Sequence, residues 1–480
     1  MRTIPQAITG AVPNNCYRSF VKSMVLYVIE ISRYLIAAAA VLYTLASFMV
    51  FYYKNETRRN GLYLLQNVLM FSIQLISFVQ MTYTTGNTDL IFFMAFQVVI
   101  LLATLMLFHM LYPAANRLVV NNMCFLLMVG LIILTRLSLA RAVRQFIIAC
   151  ASIVIGFFLP FIISKWKSLR HLTWVYALTG LSALSVVLIL GRATFGAKIT
   201  YTVAGVTFQP SEFVKILFVF FIACAFAKAT DIKQVLIVSA VAAAHVLVLV
   251  LSKDLGSALI YFVVYLTMLF VATHNYLYLF GGLIAGSGAA LIAYKMFTHI
   301  QIRVQAWRDP WSVIDSTGYQ VTQSLFGISS GGLFGLGLFG GNPEAIPLVS
   351  VDFIFSAVTE ELGIIFGVCL TLVCLSSFLM IMYQAYYLRD LFYQLVAFGI
   401  GVMYIFQVFL TIGGGAKFVP LTGVTLPLVS YGGTSVLVTI VTFFIFEGLC
   451  VLRAKEHEKA IERLERMEQR ELRERRRRHE

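Results

Sequence analysis

The chain has 480 residues, a mean hydropathy of +0.87 and only 12% charged residues, which sets it apart from soluble globular proteins, where roughly 25% of residues are charged. Its net charge is +14, but residues 453–480 alone hold eleven of the 36 Lys and Arg and eight of the 22 Asp and Glu; this points to an anionic membrane surface rather than nucleic acid. Strand-length alternating segments are not evident, which argues against a membrane β-barrel.

Apolar runs long enough to cross a ~30 Å hydrocarbon core as helices recur along the whole chain. About thirteen are expected, at 28–53, 61–83, 90–112, 118–135, 145–164, 172–191, 213–229, 234–251, 255–273, 276–295, 353–386, 391–414 and 434–452. The fold class is all-α and polytopic. The 353–386 run is long enough to tilt or to project past the bilayer. The first run continues as a span, so no cleavable signal peptide is expected. Cysteines other than Cys16 lie in or beside spans without a CxxC pair, and read as small buried hydrophobes.

Three connections are long, 192–212, 296–352 and 415–433, and long ordered loops are usually functional. A cytoplasmic basic tail puts the N-terminus outside and Lys54, Arg58, Arg59, Lys165, Lys167 and Arg170 inside. Elsewhere Lys and Arg are spread almost evenly, so the tail carries this assignment. It places all three long connections, with Ser252–Leu255, on the outer surface.

In chain order, Glu30 and Arg33 have the spacing of a local ion pair. In "GAKITYTVAGVTFQPSEFVKI", residues 196–216, Pro210 suits a first helical turn, Glu212 lies at the positive end of the helix dipole, and Lys215 follows at ion-pair spacing. His245 reads as a core histidine. In "SKDLGSALIYF", residues 252–262, Asp254 and Ser257 suit a helix cap, with Lys253 as a neighbouring partner for Asp254. Arg303 and Arg308 are flanked by Trp307 and Trp311, a combination that suits either a phosphorylated or sugar-bearing ligand or an interfacial aromatic belt. Gly335, Gly337 and Gly340 form a GxGxxG string, but no strand precedes it, so tight turns or close packing replace a dinucleotide reading.

"VDFIFSAVTEELG", residues 351–363, puts three acids in an apolar run. At about 100° per residue Asp352, Ser356, Thr359 and Gly363 share one helix face. Glu360 is offset by roughly 80° and lies some 12 Å deeper than Asp352. Asp352 therefore stands at a helix mouth, where partial desolvation would raise its pKa and suit it to general-base chemistry; a plain N-terminal helix acid is the simpler reading. Glu360 and Glu361 should pair or line a polar cavity. "VPLTGVTLPLVSYGGTS", residues 419–435, interrupts membrane-depth sequence and is expected to line the same cavity.

Together FQPSE at 208–212, DLGSA at 254–258, GYQ, QS and GG within 318–332, DFIF and EELG within 352–363, and LPLVSYGG at 426–433 resemble the SEDS family, the FtsW, RodA and SpoVE polymerases of bacterial cell-wall synthesis. The resemblance covers roughly 120–453. It implies three regions: extra membrane helices over 1–117, a ten-helix core over 118–453 whose large outer loop is 296–352, and a charged cytoplasmic tail over 454–480. It implies a glycosyltransferase that polymerises lipid II at the outer face of the cytoplasmic membrane, with inversion, for elongation, division or sporulation. Asp352 would be the catalytic residue. The matched motifs supply candidate substrate contacts: Gln209, Ser211, Glu212, Lys215, Asp254, Gln320, Gln323, Ser324, Glu360, Ser430, Gly432 and Gly433. Charge for the diphosphate leaving group would come from Arg303, Arg308 and Lys198 or from a divalent cation such as Mg or Mn; both sources stay open. Partners implied are lipid II as donor and acceptor and a class B penicillin-binding protein, a transpeptidase. The chain departs from the family where "GAKITYT" stands in place of an Arg-Trp pair and where Lys253 replaces a proline. A flippase for lipid-linked precursors is the competing reading, kept alive by Glu360, Glu361 and His245.

Overall fold

The computed structural model describes residues 15–194, 197–203, 206–228 and 230–479. The chain order is α1 (Asn15–Tyr52), α2 (Glu56–Thr85), α3 (Asp89–Leu111), α4 (Arg117–Leu137), α5 (Leu139–Gly156), α6 (Leu159–Lys165), α7 (Thr173–Leu190), β1 (Arg192–Thr194), β2 (Ala197–Val203), β3 (Val206–Phe208), α8 (Pro210–Lys228), α9 (Ile232–Leu251), α10 (Leu255–Thr273), α11 (Tyr276–Met296), α12 (Thr298–Arg308), α13 (Tyr319–Ser330), α14 (Ile354–Tyr386), α15 (Leu391–Gly415) and α16 (Gly433–His479). Among the described residues twelve helical segments are long and apolar enough to cross a membrane, and Thr173–Ile189 adds a shorter apolar helix.

Local chemistry sets many of the helix ends. Asn55 caps α2 through a bond from Thr57 N (2.9 Å), and Gly86, in the left-handed region at φ 70°, ends it. Asn275 and Asp390 cap α11 and α15 in the same way. Pro210 opens α8, where its missing N–H leaves no helical bond unmade.

Three features differ from the sequence reading. The 192–212 connection folds into a small three-stranded antiparallel sheet in the order β1-β2-β3, so short strands do occur, between α7 and α8. The span expected at 145–164 is two helices, α5 and α6, with Pro160 near the start of the second. The span expected at 353–386 is broken at Gly363, whose φ of 92° and ψ of 162° lie outside helical geometry.

The apolar interior forms two clusters. One joins α1 to α5 with α14; the other joins α7 to α10 with α15; α16 contributes to both. Helix α4 is enclosed, with its whole apolar window buried, because α2, α3, α5, α14 and α16 pack around it. Amides and hydroxyls bond across these contacts, as expected where no water competes. Asn121 Nδ2 donates to Gln66 Oε1 at 2.9 Å, Gln66 Nε2 to Ser47 Oγ at 2.9 Å, and Asn122 Nδ2 to Ser376 Oγ at 2.8 Å. Helices α1 to α3 are thus packed into the same apolar cluster as α4 and α14.

Candidate active site

Asp352 lies two residues ahead of α14, in a turn where its N–H and that of Val351 donate to Leu348 O. This turn is tied to the 415–433 loop. Ser430 Oγ donates to Val351 O at 2.6 Å and accepts from Leu426 N at 2.9 Å, and Tyr431 N donates to Ser350 O at 2.7 Å. Helix α5 holds both segments. Arg141 Nη1 donates to Ser350 Oγ at 2.6 Å, while Gln145 donates to Ser430 O and accepts from Gly432 N, each at 3.0 Å. Ser430 and Gly432, expected as substrate contacts, are committed to this framework. Gly433 packs against Ile148, where a Cβ would come within 2.6 Å.

Among the described residues the Asp352 side chain accepts no hydrogen bond. Burial raises its pKa to about 6, and the nearby Arg303 cation acts the other way. Arg303 projects from α12 and is itself anchored, its Nη1 donating to Leu421 O at 3.3 Å and Thr422 O at 3.0 Å. Gly423, at φ +77°, stands beside both groups; a Cβ there would lie 3.9 Å from Arg303 Nη2 and 3.9 Å from Asp352 Oδ2. Burial lowers the Arg303 pKa, and the carboxylates of Asp352 and Asp254 both offset this. The cation therefore sits within the field of two acids that are 98 positions apart in sequence (352 − 254).

Asp254 caps α10 by accepting from Ser257 N at 3.1 Å, and its other oxygen accepts from Ser211 Oγ at 2.9 Å and Gln209 Nε2 at 3.4 Å. The FQPSE and DLGSA motifs thus meet at the heads of α8 and α10. The expected Lys253 partner does not form: Lys253 is exposed, in the left-handed region at φ 65°, and makes no ion pair with Asp254. Glu212 and Lys215 pair at 2.9 Å within α8, and Lys215 Nζ also donates to Gln407 Oε1 at 2.8 Å. Gln407 Nε2 donates onward to Thr425 O at 2.9 Å. This buried pair supports the 415–433 loop from beneath.

The remaining candidates divide. Ser324 is buried and shares a 2.6 Å hydrogen bond with Ser356 Oγ while donating to Gly415 O at 2.7 Å. Gln320 and Gln323 are half-buried, with no side-chain hydrogen bond among the described residues. Arg308 is exposed and has no ion-pair partner among the described residues, whereas Trp307 Nε1 donates to Lys417 O at 3.2 Å. Lys198 lies in β2; its side chain falls outside those described.

Glu360 and Glu361 serve the loop before α14. Glu360 Oε1 accepts from Asn342 N at 2.5 Å, and the carboxylate lies against Gly327 and Gly341. Glu361 Oε1 accepts from Arg136 Nε at 2.8 Å and Phe339 N at 3.1 Å. The break at Gly363 frees main-chain groups that pair with the glycine string: Leu336 N to Glu360 O, Gly337 N to Glu361 O, and Ile364 N to Gly332 O. Gly335 has φ +80°, and a Cβ on it would stand 2.2 Å from Glu361 O. The GxGxxG string is therefore a site of close backbone packing. Helix α1 reaches this loop through Arg33 Nη1, which donates to Gly335 O at 3.3 Å.

Among the described residues no three His, Cys, Asp or Glu side chains gather as a metal site. With Arg303 in the field of Asp352 and Asp254, these residues do not fit a protein-held cation, and no step is derived through one. Sequence reasoning missed Arg136, Arg141, Gln145 and Gln407. Their signal was a polar or charged residue in or beside an apolar run, each of which needs a partner.

A family model described as "Cell cycle protein" (FtsW/RodA/SpoVE) matches residues 116–455. Similar proteins include peptidoglycan glycosyltransferase RodA of Mycobacterium bovis, 35% identical over 294 residues that cover 56% of this chain and 62% of that protein. RodA of Mycobacterium leprae is 35% identical over 300 residues, covering 58% and 63%. Probable peptidoglycan glycosyltransferase FtsW of Bacillus subtilis is 31% identical over 325 residues, covering 62% and 79%. The chain thus spans less than two thirds of the length of these mycobacterial relatives. In fold it is similar to a chain of a peptidoglycan synthase complex, with a TM-score of 0.61 at 24% identity, covering 72% of this chain and 99% of that one. RodA of Thermus thermophilus gives 0.54 at 23% identity, covering 71% and 97%. The match over 116–455 and the membrane-spanning helices together place the chain in the FtsW/RodA/SpoVE family, as a multi-pass protein of the bacterial cytoplasmic membrane.

Proposed function

We propose that this protein is a peptidoglycan glycosyltransferase that polymerises lipid II at the outer face of the cytoplasmic membrane, with Asp352 as general base. The observation that carries the reading is an Asp352 carboxylate free of hydrogen bonds among the described residues, its pKa raised to about 6 by burial, standing near Arg303. A base with a pKa just below neutral is ionised at working pH yet still a competent proton acceptor. Asp352 takes the proton from the 4-hydroxyl of the acceptor GlcNAc as that oxygen attacks C1 of the donor MurNAc. The new glycosidic bond forms as the C1–oxygen bond to the diphosphate breaks with inversion, and undecaprenyl diphosphate leaves with the electron pair. Arg303 has two tasks. It keeps Asp352 from becoming too basic, and it puts a fixed positive charge where the leaving group becomes more negative. Polyprenyl tails would lie in grooves between the helices.

Relatives named as peptidoglycan glycosyltransferases support the reaction class. The fold neighbour from a peptidoglycan synthase complex supports a partner transpeptidase, a class B penicillin-binding protein. The transport reading has less support, because Glu361 is bonded to Arg136 and Glu360 to Asn342, so neither acid lines an open path at mid-membrane. The test is polymerisation of purified lipid II with every other polymerase excluded. Asp352→Asn should fold and insert normally yet lose roughly 10²–10⁴-fold in rate; full activity in that variant would overturn the assignment.

A further inference from the structure

On the opposite side of the membrane from Asp352, in the topology set by the basic tail, the antiparallel helices α2 and α3 separate around a cleft of ≈ 720 Å³. Its walls run from Asn60 and His109 at one end to Leu75 and Leu102 at the other, with Val120 and Asn121 of α4 at its floor. From Asn60 to Leu75 the helix rises ~22 Å, more than one leaflet of a ~30 Å hydrocarbon core. Its wall residues Leu64, Val68 and Met106 are 66%, 55% and 60% exposed, so the cleft opens sideways toward lipid. The far end is lined by Phe71, Leu75, Leu102 and Leu105, beside Ser72, whose hydroxyl is turned onto Val68 O at 2.8 Å.

The near end is different. Arg117 begins α4, and its guanidinium rests on two neutral groups, donating to Asn60 Oδ1 at 3.0 Å and contacting His109 Nδ1 at 2.7 Å. Arginine can only donate, so His109 Nδ1 accepts and the imidazole proton sits on Nε2. No carboxylate pairs with Arg117 among the described residues. Glu447, the acid at this helix end, has its Oε2 bonded to Asn116 N at 2.6 Å. A cation at the first position of a helix is disfavoured by the dipole, so local helix stability does not account for Arg117. Lys54 just ahead of α2 and Arg58 and Arg59 in its first turn stand against the single acid Glu56, and Arg59 Nη2 donates to Tyr63 OH, on the cleft wall, at 2.9 Å. Seven residues further into the membrane than Asn60, the Asn67 Oδ1 atom is buried without a partner among the described residues.

We propose that the α2–α3 cleft binds an anionic glycerophospholipid of the cytoplasmic leaflet. Its phosphodiester sits on the spare N–H groups of Arg117 and on His109 Nε2–H, and one acyl chain lies between α2 and α3. The Asn67 amide, turned to present its NH₂, meets an ester carbonyl. Charge complementarity selects a head group of net negative charge: the phosphodiester supplies the anion that Arg117 lacks, and no cation on the lipid offsets it. This inference does not rest on the glycosyltransferase reading, since the cleft belongs to helices that mostly precede the family match.

The test uses native mass spectrometry of the full-length protein titrated in detergent with phosphatidylglycerol or phosphatidylcholine. The wild type should bind phosphatidylglycerol about tenfold more tightly than phosphatidylcholine, whose choline cation offsets the charge of the phosphodiester that both lipids carry. Arg117→Gln should abolish that preference, bringing phosphatidylglycerol binding down to the level of phosphatidylcholine. Val68→Trp fills the apolar wall without touching the cationic end and should weaken both lipids. Equal binding of the two lipids by the wild type would overturn the proposal. So would a preference that persists in Arg117→Gln, or displacement of the lipid by sn-glycerol 3-phosphate at equal concentration.

Discussion

Arg303 and Asp352 flank Gly423 without forming an ion pair: a side chain at that glycine would stand 3.9 Å from a nitrogen of one and 3.9 Å from an oxygen of the other. The cation lowers the acid's pKa without occupying its oxygens, because Arg303 spends its bonds on Leu421 O and Thr422 O. A base that must accept a proton during each turnover needs this arrangement, since a direct ion pair would hold its oxygens.

Removing the cation should therefore move the acid limb of the rate profile. In the proposed mechanism Asp352 acts as the ionised base, so the rate should fall as pH drops through its pKa of about 6. Arg303 lowers that pKa, so Arg303→Gln should shift the midpoint upward. The pH dependence of lipid II polymerisation by the two proteins checks this, and an unmoved or lowered midpoint contradicts it.

Ser430→Ala should leave the Val351 carbonyl and the Leu426 N–H without their hydroxyl partner. The turn that carries Asp352 loosens. Small misplacement of a reacting group is costly, so kcat should fall about tenfold while the pH midpoint stays in place. Steady-state kinetics with a pH series separates this positioning role from the Arg303 effect.

Arg136→Ala leaves Glu361 buried and uncompensated. Breaking such a pair costs about 3–5 kcal/mol, whereas replacing both partners by apolar groups is far milder. Thermal unfolding in detergent should rank Arg136→Ala below the double variant Arg136→Met/Glu361→Leu, and the reverse order would show that the pair does not brace the loop.

Gly335→Ala adds both left-handed strain, at φ +80°, and a Cβ 2.2 Å from Glu361 O. The strain alone costs about 1–2 kcal/mol, and the clash is with backbone that cannot yield without opening the pairing at Gly363. Activity and melting temperature should both fall. Gly288→Ala, whose Cβ would meet nothing within 4 Å, should change neither.

Much of the site could be read in the chain because its chemistry is local. Asp254 as a cap with Ser257, Glu212 with Lys215, and Glu30 with Arg33 are contacts between near neighbours, and spacing alone exposes them. Other contacts could not be read from the chain, because a polar residue in a matched motif has the same appearance whether it meets a ligand or the backbone. Ser430, expected as a substrate contact, holds Val351, and Glu360 holds Asn342.

The amino-acid order determined the number and placement of the apolar helices, the position of an acid ahead of one of them and the meeting of three long connections on one surface, since transfer into a bilayer is scored segment by segment. Tertiary packing decided the rest. Arg303 reaches the field of Asp352 only because the 415–433 loop offers it two carbonyls, and α14 breaks at Gly363 only because the glycine string satisfies the freed backbone. Helix α4 is buried on every side because α2 and α3 close over it. Each of these is a contact between segments far apart in the chain, whose energy depends on what lies on the other side, and periodicity along one helix carries no record of that.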